Sequence, residues 1–281
     1  MPIPDYEYQQ RAAAALSRLS NVRVRVIGKS LCRRNIYAVT VGRGVNVPLI
    51  AAGFHGMEYL TVLTAFRFAR ECAEQNSRGV VIVPCVNPDG TEISLHGAAC
   101  ACRFAPFVTK TGDENRWQSN ARGVDINHNF AADWRGVKQR ERAAGVTQPG
   151  ATRFGGTHPE SEPETRALTR LCRNNRFSRV MALHSQGREI YWDFGKCTPK
   201  ECFATAQKMG EVSGYTVAAP EPIATGGGFK DWFIQTFHRC GFTAEMGLGK
   251  NPLPLSDFEA EYPAVERMLR VFITDNVCFR R

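Results

Sequence analysis

The stretch VPLIAAGFHGMEYLTVLTAFRFARECAE, residues 47–74, sets the architecture. Its first seven residues are a short continuous apolar run, the pattern of a strand covered on both faces. Residues 56–74 then carry a strong helical period. Between them stands His55-Gly56-Met57-Glu58. A turn or first helical turn brings residues i and i+3 to one side, so an imidazole and a carboxylate are placed to share one metal. Such a pair also recurs by chance, so its weight depends on what accompanies it.

Outward from this stretch the pattern repeats. Residues 5–19 read as a helix, and VRVRVIG (22–28) and NIYAVTVG (35–42) alternate like half-buried strands. GVVIVPCV (79–86) is a second buried strand, ended by the turn sequence NPDG. RVMALHS (179–185) and CGFTAEMG (240–247) are further apolar strands, and residues 261–277 form a terminal helix. Ser161-Glu162-Pro163-Glu164 predicts a helix start, with Ser161 as N-cap and Glu164 closing a capping box. Residues 91–158 are Gly-rich and polar with little regular pattern, a length of irregular chain that a compact domain keeps for a use. Strands alternating with helices predict an α/β fold: one domain over residues 1–281, with a central mixed, mostly parallel sheet flanked by helices. The N-terminal helix, within residues 1–21, belongs to that domain.

The chain has 36 Lys+Arg against 27 Asp+Glu, a formal charge of +9, and 43% hydrophobic residues. That composition excludes disorder and a disulfide mini-protein. The basic residues are dispersed, which argues against nucleic acid and suits an acidic small substrate. No apolar run approaches the roughly 18 to 20 residues that cross a bilayer. The N-terminus lacks the apolar core of a secretory signal, so the expectation is a cytoplasmic protein whose ten cysteines are mostly reduced, Cys240 among them as a small buried hydrophobe. The sequence sets no oligomeric state.

Three further positions carry chemistry. His184 ends an apolar strand, where a lone histidine is usually structural but the polar Ser185 and Gln186 that follow suggest a cleft. Two histidines and one glutamate make a catalytic zinc set with an open fourth position. Glu245 ends another apolar strand; it is either ion-paired or the general base that takes a proton from an activated water. The run Arg122-Gly123-Val124-Asp125-Ile126-Asn127-His128-Asn129-Phe130 is dense in polar atoms, as a substrate-orienting loop or an Asx-rich turn.

In this order the motifs resemble the M14 zinc carboxypeptidase family, over about residues 45–275. RWQSNARGVDINHNF, GGTHPESEPETRAL and GGFKDWFIQTF are similar to its bacterial γ-D-glutamyl-diaminopimelate peptidase branch, which cuts murein stem peptides. The resemblance implies one zinc ion held by His55, Glu58 and His184, with Glu245 as general base and then proton donor. It implies that Asn127 helps hold the substrate's terminal carboxylate. The family usually has Arg after that Asn; His128 stands there instead and makes no permanent bidentate fork. The catalytic-loop Tyr is missing as well, and Phe229 offers an aromatic face without the hydroxyl. Arg122 and Arg116 both stand near the segment of the oxyanion arginine; Arg122 is assigned that role and Arg116 the substrate. Lys230, beside Asp231, is assigned to a pocket for a zwitterionic diamino-acid centre. The implied activity is hydrolysis of murein-derived peptides at the γ-D-glutamyl–diamino acid bond. The alternatives are a general metallocarboxypeptidase, a deacylase of N-acyl amino acids, and a non-enzymatic binder of wall fragments.

Overall fold

The computed structural model describes residues 1–220 and 222–275. In chain order it runs α1 (Tyr6–Leu16), β1 (Val22–Lys29), β2 (Asn35–Val41), β3 (Leu49–Ala51), α2 (Leu60–Glu74), β4 (Val80–Val83), α3 (Pro88–His96), α4 (Ala105–Thr111) and α5 (Trp134–Ala143). It continues through α6 (Pro163–Arg173), β5 (Val180–His184), β6 (Glu189–Tyr191), α7 (Cys202–Ser213), β7 (Thr216–Ala218), α8 (Phe229–Phe237), β8 (Gly241–Glu245) and α9 (Phe258–Thr274). The strands form one mixed sheet in the order β1-β2-β4-β3-β5-β8-β6-β7. β3 lies parallel to β4 and β5, and β5 parallel to β8, while β1–β2, β2–β4 and β6–β8 are antiparallel. This is the predicted α/β sheet.

Strand alternation builds two cores from one sheet. Ile50, Ile82, Met181 and Leu183 turn to one face, where they meet side chains of α1, α2, α7 and α9. Leu49, Ala51, Val81, Val83, Val180 and Ala182 turn to the other, against α6 and α8. The central strands are buried throughout, which is why they read as continuous apolar runs. Burying a side chain such as Ile50 stabilises the fold by about 1.5 to 3 kcal/mol.

Several local expectations are corrected. Two three-residue strands, β6 and β7, extend the sheet where no strand is expected. The stretch 91–158 contains α4, α5 and three short 3-10 turns. NPDG opens a helix: the Asn87 side chain accepts from Gly90 N and Pro88 takes the first turn of α3. Ser161 makes no capping box, since α6 begins after Glu162 and the hydroxyl of Ser161 donates to Glu162 Oε1 instead. Cys240 is no free thiol; it forms a buried disulfide with Cys202 that ties α7 to the residue preceding β8. The terminal helix ends at Thr274, and residues 276 and 277 of the expected helix lie outside the described residues. No helix among the described residues is long and apolar enough to cross a membrane.

Candidate active site

Because β3, β5 and β8 are neighbouring parallel strands, their carboxyl ends open at one edge, where α/β sheets bind ligands. β5 ends in His184 and β8 in Glu245, which face each other in register. The turn after β3 brings His55 and Glu58 to the same edge. It is a turn before α2, with Glu58 N donating to His55 O at 3.1 Å. The turn is clamped: Gly56 N donates to Gln118 O and Met57 N to Trp117 O, at 3.1 and 2.9 Å. A Cβ on Gly56 would come within 2.1 Å of Gly90 O, so the close approach requires glycine. Asn87 Nδ2 ties the same region together through Phe54 O and Ser119 O, both at 3.0 Å.

The Glu58 carboxylate bridges the two imidazoles. Its Oε1 lies 2.8 Å from His55 Nδ1 and its Oε2 lies 2.9 Å from His184 Nδ1. One donor atom from each of the three side chains falls within a 4.8 Å cluster. Burial pushes the Glu58 carboxyl up, but the charges of His55 and His184 outweigh it and hold it down at about 2. Burial acts against the His55 imidazolium, and Glu58 and Asp125 reverse that, raising it well above its ordinary value. The donor set, two nitrogens and a carboxylate with Glu58 and His184 buried and His55 partly open to the cleft, fits a tetrahedral zinc site with one open position. Asp125 supplies the outer support that ligating histidines require: its Oδ1 lies 3.1 Å from His55 Nε2. It also accepts from Asn127 N and Arg153 N, each at 3.0 Å.

The opening is a cleft of about 550 Å³ that brings together His55, Glu58, His184, Glu245, Asn127, His128 and Arg116. Burial, then the charge of Glu58, raises the Glu245 carboxyl well above its ordinary value. A carboxylate so disposed is a competent proton acceptor. Asn127 Oδ1 accepts from Phe229 N at 3.1 Å, which fixes its amide beside the cleft. His128 is buried beside Glu141, with Nδ1 at 3.5 Å from Oε1. Lys230 is set back in a recess of about 50 Å³ that adjoins Glu245; its ammonium donates to Asp231 and to Asp193 O.

Two assignments are overturned. Arg122 does not line the cleft: its guanidinium is spread over Glu162, with Nε and Nη2 each 2.8 Å from a carboxylate oxygen. Phe229 is fully buried, packed against Phe54, Phe130, Trp232 and Phe233, and has no face toward substrate. Residue reading left Asp125 without a role of its own, although the spacing Asp-x-Asn beside a candidate site carries that signal. Arg153 and Lys250 also line the cleft, and both sit outside the sequence motifs.

The zinc carboxypeptidase family profile (Peptidase_M14) matches residues 7–266. A gamma-D-glutamyl-L-diamino acid endopeptidase 1 of Lysinibacillus sphaericus is 33% identical over 259 residues, 84% of this chain and 63% of that protein. Murein peptide amidase A of Escherichia coli (strain K12) is 31% identical over 138 residues, 48% of each chain. This chain therefore spans under two thirds of the first relative's length and about half of the second's. Among solved structures, bovine thrombin-activatable fibrinolysis inhibitor in complex with a tick carboxypeptidase inhibitor superposes with a TM-score of 0.78 at 19% identity, over 96% of both chains.

Proposed function

Since the chain belongs to the zinc carboxypeptidase family, we propose that it is a zinc-dependent peptidase that hydrolyses cell-wall stem peptides at the γ-D-glutamyl–diamino acid bond. The observation that carries this reading is the register pairing of Glu245 with His184, which sets a proton acceptor beside the His55, Glu58 and His184 cluster in one cleft. The named activity of the Lysinibacillus relative supports the choice of bond. So do the cleft walls: Arg116, Arg153 and Lys250 line it, and among the described residues none of the three side chains is in an ion pair. Stem peptides carry several carboxylates, and an unpaired basic wall raises their local concentration.

His55, Glu58 and His184 would hold the zinc ion. Bound there, zinc supplies a Lewis acid that polarises a carbonyl and makes water acidic near neutral pH. Glu245 takes the proton from the attacking water and returns it to the leaving amine. Arg116, exposed on its turn and lining the cleft, would stabilise charge developing on the carbonyl oxygen. Asn127 orients the leaving residue. A carboxypeptidase specific for free C-termini draws less support, because His128 supplies no fixed guanidinium.

The test is mass spectrometry of the products from paired γ-D-glutamyl-diaminopimelate and α-linked peptides, with and without a chelator. Chelator-sensitive release of the diamino acid is expected, and hydrolysis of α-linked peptides alone would overturn the proposal. Glu245→Gln should keep about one zinc per chain and lower kcat by roughly 10²- to 10⁴-fold; unchanged turnover would remove Glu245 from the mechanism.

A further inference from the structure

The cleft has two distinguishable ends. At one, the recess lined by Asn127, Tyr191, Lys230, Asp231 and Thr243 adjoins Glu245. A leaving amine protonated by Glu245 belongs at this end. At the other, segments 55–57, 116–118 and 151–153 run together: Gly56 N donates to Gln118 O, and Gln118 N to Ala151 O at 2.9 Å. The acyl half of the substrate belongs there, on the His55 side.

Arg153 occupies the acyl end, and its backbone is fixed more tightly than a surface residue needs. Its N donates to Asp125 Oδ2 at 3.0 Å, so the carboxylate that supports His55 also holds Arg153. Phe154, the next residue, is buried and accepts from Asp125 N at 2.8 Å. Gly155 N then donates to Glu141 Oε1 at 2.9 Å. Arg153 itself takes φ +67°, a left-handed conformation that glycine or asparagine adopts more easily. Strain of this kind persists where the surroundings over-determine it, and it concentrates at ligand clamps. The side chain is exposed, lines the cleft and is in no ion pair among the described residues. His128, the other candidate anion contact, has no permanent charge and is set against Glu141.

Building on the proposed substrate, we infer that Arg153 is a specificity-determining residue that binds the free α-carboxylate of the γ-linked glutamyl residue. In a γ-glutamyl bond that carboxylate stays on the acyl side, with three carbons between it and the scissile carbonyl. A guanidinium carried to the acyl end by this held backbone receives it as a bidentate pair, and an α-carboxamide at the same place removes the charge and one acceptor.

The experiment compares two peptides that differ only there, γ-D-glutamyl- and γ-D-isoglutaminyl-diaminopimelate substrates, on zinc-loaded protein. The parent should prefer the carboxylate at least tenfold, mainly through KM. Arg153→Gln should lose that preference, with KM for the carboxylate peptide raised about tenfold and KM for the carboxamide peptide changed far less. Arg153→Lys should restore part of it as a point charge. Titration calorimetry on Glu245→Gln protein, with Arg or Gln at 153, should show the same difference in peptide binding without turnover. Arg153→Gly suits the backbone better and should melt no lower than the parent while losing discrimination, which separates recognition from folding. A preference that survives Arg153→Gln, or a parent that cleaves both peptides equally well, overturns the assignment and leaves the proposed reaction standing. A parent that cleaves neither peptide but does cleave an α-linked one overturns both.

Discussion

Two groups of buried carboxylates meet at the loop from Asn120 to Asn129, one including its own Asp125 and the other bound by its Asn120 amide. In the first, Glu58 and Asp125 bracket the imidazole of His55, at 2.8 and 3.1 Å, and open toward the cleft. In the other group, Asp89, Glu162 and Glu164 are all but inaccessible to solvent. Here permanent cations neutralise two of the three: Arg34 Nη1 lies 2.7 Å from Asp89, and Arg122 holds Glu162 with two bonds. Among the described residues Glu164 is in no ion pair; it accepts from Leu31 N at 3.1 Å and from the Asn120 amide at 3.3 Å. The difference is one of donors and exposure. Imidazoles facing a cleft leave lone pairs for a metal, whereas guanidinium groups occupy carboxylate oxygens and close the site. Buried acid alone marks neither.

Arg122 separates the two groups most visibly. Arg122→Gln strands Glu162 in a low-dielectric site and should cost on the order of 2 to 3 kcal/mol in urea denaturation, the guanidinium being partly exposed. Below its melting range the variant should keep kcat within about threefold. A hundredfold fall in kcat with unchanged stability would instead return Arg122 to the oxyanion. In the first group, Asp125→Asn keeps the shape and loses the charge behind His55 Nε2. It should weaken zinc affinity by roughly 10- to 100-fold in a chelator competition assay, and it should also cost stability, because the amide NH2 must face the N–H of Asn127 or of Arg153. Unaltered affinity would mean that His55 needs no such support.

Where the chemistry sits at the end of a periodic element, residue reading reached it. His184 and Glu245 are polar ends of apolar strands, and His55 and Glu58 follow another, so a parallel sheet brings all four to one edge. Where the decision depends on a partner distant in sequence, it did not. Arg122 and Arg116 look alike in the chain, yet one meets a carboxylate forty residues on and the other faces the cleft. Phe229 shares the composition of a substrate loop but is drawn inward by an aromatic cluster that spans residues 54 to 233. The Cys202–Cys240 pair is 38 residues apart, with nothing local to announce it. β6 and β7 are three residues long, too short for a period to register. Ser161-Glu162-Pro163-Glu164 has the letters of a capping box, but both glutamates are recruited inward to the acidic cluster.

The smallest effect should come from that cluster's third carboxyl, and it should depend on pH. Burial, then the charges of Asp89 and Glu162, push Glu164 from its ordinary 4.5 to about 8. The folded chain thus holds a proton that the unfolded chain releases. Its advantage is complete below about pH 4.5 and is lost as pH rises toward 8, because the unfolded state then ionises freely while the fold must keep the group neutral or bear a third buried charge. Glu164→Gln fixes the neutral form in nearly the same shape. It should leave stability at pH 5 almost unchanged and raise it at pH 8.5 by on the order of 1 to 2 kcal/mol, read from urea midpoints at the two pH values. A variant equally stabilised at both would place the benefit in packing. One destabilised at pH 8.5 would mean that the carboxylate is ionised and paired in the fold, and that the two acidic clusters are more alike than their partners suggest.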